Sequence, residues 1–276
     1  MKWLQFILSH SIFVSICAVS MAWQTVQLRL LHHNLFMYGF IFFATLGSYN
    51  FYWLLSKVSF AKKSSIAGLL KKEMTAFFIL LLSAAGLLYC FSHASLSVEF
   101  IVTGILLTVI YAIPLLPITV LHFTRKAGIL KTILLALTWT YVTAFMPIQK
   151  TYMQLDAADS FVIGYRFLFM LLLCILFDSR DMAVDKIRGL RSLATVLKPG
   201  QLNKLVMVIF GVMFSSVFFY KDYSITYQQS VALQVSALAL LTVYFYAAKK
   251  QTYFFYYFMV DGLMLFSALA TTIAGI

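Results

Sequence analysis

Acidic residues are scarce in this chain: nine aspartates and glutamates stand against 21 lysines and arginines in 276 residues. Charged residues of either sign make up only 11%, while 62% is hydrophobic and the mean hydropathy is +0.91. A soluble globule of this size needs far more polar surface, so that class is excluded. The three cysteines, Cys17, Cys90 and Cys174, lie far apart in apolar stretches; they form no disulfide framework and read as buried packing residues. Metal-ligand spacing is missing among the histidines, with His32 and His33 adjacent and His10, His93 and His122 scattered. Repeats and low-complexity linkers are also lacking, which leaves a single transmembrane domain over residues 1–276.

Apolar runs of membrane-spanning length fill most of the chain. They fall near residues 4–22, 34–56, 73–92, 98–120, 129–147, 161–177, 203–220, 229–247 and 252–273. About 20 apolar residues cross the hydrocarbon. Runs this long, without period-two alternation, exclude barrel strands. The expected fold class is an all-α integral membrane protein of about nine transmembrane helices. Residues 4–22 follow Lys2 and contain small residues resembling a signal-cleavage site, but the run is long for a signal and reads as a span.

The basic residues give an orientation. With the N-terminus inside, the inner ends carry Lys2; Lys57, Lys62, Lys63, Lys71 and Lys72; Arg125, Lys126 and Lys131; Arg180, Lys186, Arg188, Arg191, Lys198 and Lys204; and Lys249 and Lys250. Only Arg29, Lys150 and Lys221 fall on the other side, and Arg166 lies inside the sixth run. This bias predicts a multi-pass protein of the inner or cytoplasmic membrane with a cytoplasmic N-terminus. The net charge of +12 is accounted for by topology, anionic headgroups and an anionic substrate, and requires no nucleic acid.

Three of the few acids close the sixth run: Asp178, Asp181 and Asp185, in FDSRDMAVDKIRG. If the helix continues through them, spacings of three, four and seven place all three on one face. Two carboxylates about 6 Å apart repel by roughly 3 kcal/mol at an effective dielectric of about 20. A cation between them removes that cost, and Mg²⁺, which takes carboxylate and phosphate oxygens, is the obvious candidate. The alternatives are a solvated network with Lys186 and Arg188, or pairing of Asp178 with Arg180 or Arg191. Asp261, inside the last run, is expensive there and is functional or paired. Loops of about 57–72 and 178–203 lie on the same side and cap the site. The first has the makings of an amphipathic interfacial helix; in the second, Pro199 and Gly200 are expected to stop any helix.

The segment from Asp178 to Gly200 resembles the second aspartate-rich motif of the UbiA superfamily of intramembrane prenyltransferases. Asp178, Asp181, Asp185 and Gly189 follow its D-x-x-D-x-x-x-D-x-x-x-G order, Ser192 stands where Thr is usual, and Gly200 closes the loop. Tyr111, Pro114, Arg125, Lys131 and Asp261-Gly262 extend the similarity over most of the chain. The first motif of that family, N-D-x-x-D-x-x-x-D, begins here at Asn50, but Phe51, Leu54 and Val58 occupy its aspartate positions. Half of the paired metal-binding machinery is absent.

The resemblance implies a helical bundle around a central lipid-accessible cavity. It implies Mg²⁺-dependent transfer of a prenyl group from a polyprenyl diphosphate to an aromatic or other lipid-precursor acceptor. Asp181 and Asp185 would be catalytic, all three aspartates would be metal ligands, and Asn50, Lys57, Arg125, Lys131 and Lys186 would bind substrate. Lys57 has two readings, a fixed charge replacing the lost metal or a lysine snorkelling to headgroups. Asn50 is equally readable as a polar contact between helices, and Arg125 and Lys131 as orientation charges. Aromatic residues, 17% of the chain and dense at Tyr49, Phe51, Tyr52 and Trp53, offer π faces to a carbocation. A terpene cyclase or lyase uses the same ionisation, and a catalytically degenerate isoprenoid-binding protein is the non-enzymatic alternative.

Overall fold

A computed structural model describes residues 2–60, 73–94, 96–112, 128–188, 191–223, 225–249 and 251–276. Among these residues all regular structure is helical. A bilayer offers no water to backbone amides, and a helix satisfies them within one segment. The helices are α1 (Lys2–Ser9), α2 (Ile12–Leu28), α3 (Leu35–Phe60), α4 (Met74–His93), α5 (Val98–Ala112), α6 (Gly128–Thr140), α7 (Ala157–Arg188), α8 (Leu193–Val196), α9 (Pro199–Ser216), α10 (Tyr227–Ala247) and α11 (Asp261–Ala274). Two wider π-helical stretches interrupt the pattern, Tyr141–Phe145 after α6 and Phe255–Val260 before α11.

Among the described residues six helices are long and apolar enough to cross a membrane, and seven if α1 and α2 form one bent span. The sequence led us to expect about nine. The first expected span is broken: α1 and α2 meet at 67°, and Ser11 between them adopts a left-handed φ of 63°. The fourth, expected over 98–120, has only fifteen described helical residues, and the rest of it lies outside the described residues. The segment 178–203, expected as a loop, is helical to Arg188. Pro199 starts α9 instead of stopping a helix, because at the first helical position its missing N–H is no loss and its fixed φ suits the turn.

The central helix is α7, with 61% of its apolar window buried against 22% for α4. Its Phe169, Leu172, Ile175 and Leu176 pack among Met21 of α2, Met213 of α9, Leu233 and Leu240 of α10 and Val260. Outer helices instead expose Phe78, Leu81, Leu82, Ile105 and Leu106, as lipid-facing surfaces do. The helices α3 and α4 approach each other through small residues. A Cβ on Gly39 would lie 2.7 Å from Cys90 Sγ, and one on Gly86 would lie 2.6 Å from the Phe43 ring. Apolar side chains gain little from leaving lipid, so close backbone approach is what such a pair relies on.

Arg166 lies in the middle of α7, 2% exposed. Its Nη1 donates to the carbonyls of Met21 (2.8 Å) and Thr143 (3.3 Å), and its Nη2 to Gln24 Oε1 (2.8 Å) and Thr25 Oγ1 (3.1 Å). Gln24 in turn donates to Ser267 and Thr271 of α11 at 3.0 Å. Thr143 lies in the first π stretch, where the widened turn leaves carbonyls for such donors. At the end of the bundle where α7 begins, Arg29 pairs with Asp156 and Asp159 at 2.7 Å, and Lys150 reaches the same two acids at 3.2 and 2.7 Å. The backbone N–H of Asp159 holds the Asp156 carboxyl below its ordinary range. That end is closed by its own charges.

Candidate functional site

The other end of α7 carries the aspartates. Asp178 and Asp185, a little under two turns apart, are both buried against α6. Thr132 Oγ1 donates to Asp178 Oδ2 and accepts from the backbone N–H of Leu193 at 3.2 Å, so one hydroxyl ties α6, α7 and α8 together. Lys131, its neighbour on α6, is 3.3 Å from Asp185 Oδ2. Asp181 turns outward, its side chain 43% exposed, and takes two hydrogen bonds from Arg180, 2.7 Å from Nε and 2.8 Å from Nη2. The Arg180 guanidinium rests on an aromatic bed, 4.9 Å from the ring centres of Phe177 and Tyr257 and 5.3 Å from that of Tyr256.

Two polar atoms are buried without a hydrogen bond among the described residues, and both belong here: Arg180 Nη1 and Ser192 Oγ. Ser192 is wholly buried, and its backbone N–H donates to Thr195 Oγ1 at 2.7 Å. A buried donor left unmade is costly, so a polar ligand that completes these atoms stabilises this end. The site holds three carboxylates against Lys131 and Arg180.

Aromatic side chains line the approach from α3. Tyr52 stacks on Tyr111 with centroids 5.4 Å apart, and Tyr49 meets Trp139 edge-on at 6.2 Å. Tyr52 is within electrostatic range of Lys131, and Tyr49 within range of Cys174 and Asp261. The ring contacts tie this part of α3 to α5 and α6.

The residues expected from sequence divide as follows. The three aspartates and Lys131 come together. Asn50 is buried, and its Nδ2 donates to the carbonyls of Leu46 (2.8 Å) and His10 (3.1 Å), the second at the α1–α2 break. Lys57 is exposed near the end of α3, its Nζ 5.0 Å from the Trp53 ring centre. Phe51 is exposed and Leu54 half-buried. Lys186 lies in α7, and its side chain, like that of Val58, is outside the described residues, as are Arg125 and residues 61–72 of the first expected loop. The sequence reading missed Thr132, which nothing but its place one residue after Lys131 marked, and the aromatic bed of Arg180.

The donors suit a hard divalent cation in kind, but among the described residues no three histidine, cysteine or acidic side chains form a ready cage. Mg²⁺ commonly takes one or two protein carboxylates and completes its shell with water and substrate phosphates. Asp181 and Asp185, each held by a single cationic side chain, fit that mode.

The helical bundle, with an aspartate-bearing central helix and a second cationic helix against it, has the UbiA fold. It superposes on the ligand-free structure of a UbiA homologue from Aeropyrum pernix K1 with a TM-score of 0.61 and 13% identity, over 95% of this chain and 97% of that one. A digeranylgeranylglyceryl phosphate synthase structure superposes with a TM-score of 0.54 and 13% identity, over 100% and 99% of the two chains. No protein-family profile and no curated protein sequence matches the chain.

Proposed function

We propose that the protein ionises an isoprenoid diphosphate at the aspartate end of the bundle and transfers the prenyl group to a lipid-precursor acceptor within the membrane. The observation that carries this reading is the pair of uncompleted polar atoms, Arg180 Nη1 and Ser192 Oγ, beside Lys131 and the three aspartates in a UbiA fold. Lys131 and Arg180 donate to diphosphate oxygens. As the allylic C–O bond breaks and its electron pair leaves with the diphosphate, these cations neutralise the growing charge. Asp181 and Asp185, with Asp178 behind them, would hold Mg²⁺, which would supply further neutralisation of the leaving group. Lys57, Arg125 and Lys186 are added phosphate contacts in this reading. Asn50 can take part only through its side-chain oxygen, since its nitrogen is committed to His10 and Leu46. The faces of Tyr49, Tyr52, Tyr111 and Trp139 shelter the allylic cation from water. The basic inner ends of the spans support a site at the cytoplasmic surface of the inner membrane.

Purified protein incubated with Mg²⁺, polyprenyl diphosphates of several lengths and a membrane-lipid extract should release diphosphate and form a prenylated lipid visible by mass spectrometry. Asp181→Asn should lower both by at least tenfold. No diphosphate release at any chain length overturns the reading. The exposed Phe51 and half-buried Leu54 at the first motif favour isoprenoid binding without turnover as the second reading, and a prenyl diphosphate that raises the melting temperature without being consumed would establish it.

A further inference from the structure

Asp261 is the one aspartate whose described side chain has no donor. Asp156, Asp159, Asp178, Asp181 and Asp185 all accept from cationic or hydroxyl side chains. Asp261 is 6% exposed, lies in the membrane-spanning helix Phe255–Ala274, and makes no side-chain hydrogen bond or ion pair with any described residue. It follows immediately on the π-helical stretch Phe255–Val260, a backbone form that recurs at functional sites.

Its surroundings are those of a subsite. Cys17 of α2, Tyr49 of α3, Cys174 and Arg180 of α7, and Tyr253 are within electrostatic range of its carboxylate. Phe13 closes the α2 side, stacked on Phe258 at 5.2 Å and 3.7 Å from where a Gly262 Cβ would stand. Cys174 is about one helical turn, roughly 6 Å, deeper in the bundle than Asp178. Asp261, in range of both Cys174 and Arg180, therefore lies beside the aspartate end of α7 and reaches one turn deeper into the bundle.

We infer that Asp261 is the acceptor subsite and takes a lipid-soluble alcohol or phenol, whose hydroxyl supplies the missing donor. This rests on the prenyl-transfer reading above. In the transfer step the allylic C–O bond breaks with its electron pair going to the diphosphate. An electron pair of the acceptor oxygen forms the new C–O bond, and the hydroxyl proton passes to an Asp261 oxygen and leaves to solvent with the product.

The test uses the full chain in liposomes with Mg²⁺, a polyprenyl diphosphate, and either para-octylphenol or its O-methyl ether. The wild type should form the prenyl aryl ether from the phenol and only prenyl alcohol with the methyl ether. Asp261→Asn should shift the ether-to-alcohol ratio toward alcohol by tenfold or more and lose the acid limb of the pH profile for transfer; Asp261→Glu should restore ether formation. The phenol should also raise the melting temperature of the wild type and not of D261N. An unchanged ratio in D261N, or wild type stabilised equally by phenol and methyl ether, overturns the inference while leaving diphosphate ionisation intact. Absence of diphosphate release from the wild type overturns the prenyl-transfer reading and this inference with it. Should D261N fail to fold, the phenol and methyl ether comparison in the wild type decides.

Discussion

Asn50 of α3 holds the carbonyl of His10 with a 3.1 Å hydrogen bond across the break between α1 and α2. The bend frees that carbonyl from helical pairing, and the buried amide takes the place of the lost donor. Asn50→Leu should therefore destabilise the folded protein by about 1–3 kcal/mol. Thermal unfolding in detergent measures this, and a variant that binds diphosphate weakly at an unchanged melting temperature would contradict it.

Thr132 has a comparable position at the site. Replacing it by Val removes the donor to Asp178 and the acceptor for the Leu193 N–H in one step. A loss of about 2–4 kcal/mol is expected, since two buried groups are left unpaired. Thr132→Ser should recover most of it, as the hydroxyl is retained.

The α3–α4 contact tolerates no added bulk. Gly86→Leu drives a side chain into the Phe43 ring, and Gly39→Val meets Cys90. Each should cost about 1–3 kcal/mol or separate the pair. A cysteine crosslink engineered between the two helices, formed in the parent and lost in the glycine variants, would report the separation.

Arg166→Leu should lower the melting temperature more than Gln24→Leu. The first removes four hydrogen bonds and leaves the Thr143 and Met21 carbonyls with the Thr25 hydroxyl as their one remaining side-chain donor among the described residues, while the second leaves the bonds from Arg166 to those carbonyls intact. Equal losses would mean that the carbonyls find other donors.

Strong acid should loosen the Arg29 end. The Asp156 carboxyl titrates below its ordinary value of 3.8, through the Asp159 N–H and then Lys150 and Arg29. Its contribution is complete above that value and disappears as pH falls through the lower folded-state value. Melting curves taken from about pH 5 downward should show a decline that Asp156→Asn reduces.

The aspartate helix was legible because charge is rare here: three acids at spacings of three and four stand out when only nine occur in the chain. The one-face spacing was conditional on the helix continuing, while the same segment also read as a loop; α7 in fact runs to Arg188. What the sequence hid depended on tertiary contact. Arg180 gave no sign that it would choose Asp181 and an aromatic bed from α11's approach over Asp178. The break at Ser11 was invisible because the apolar run is unbroken and the carbonyl it exposes is answered forty residues away. Pro199 misled because proline stops a helix from within and starts one from its first turn.

The 67° turn at Ser11 also decides where the molecule can be handled. Since α1 turns aside and His10 is pinned to α3, an affinity tag joined ahead of Lys2 would extend from a helix that leaves the axis of α2 at the point Asn50 holds. The last helix finishes at the opposite end, where Thr272 bonds Gln27. A tag after Ile276 would load that end of the bundle and leave the Ser11 break and its bond to α3 untouched, so fusions at the two termini burden different joints of the fold.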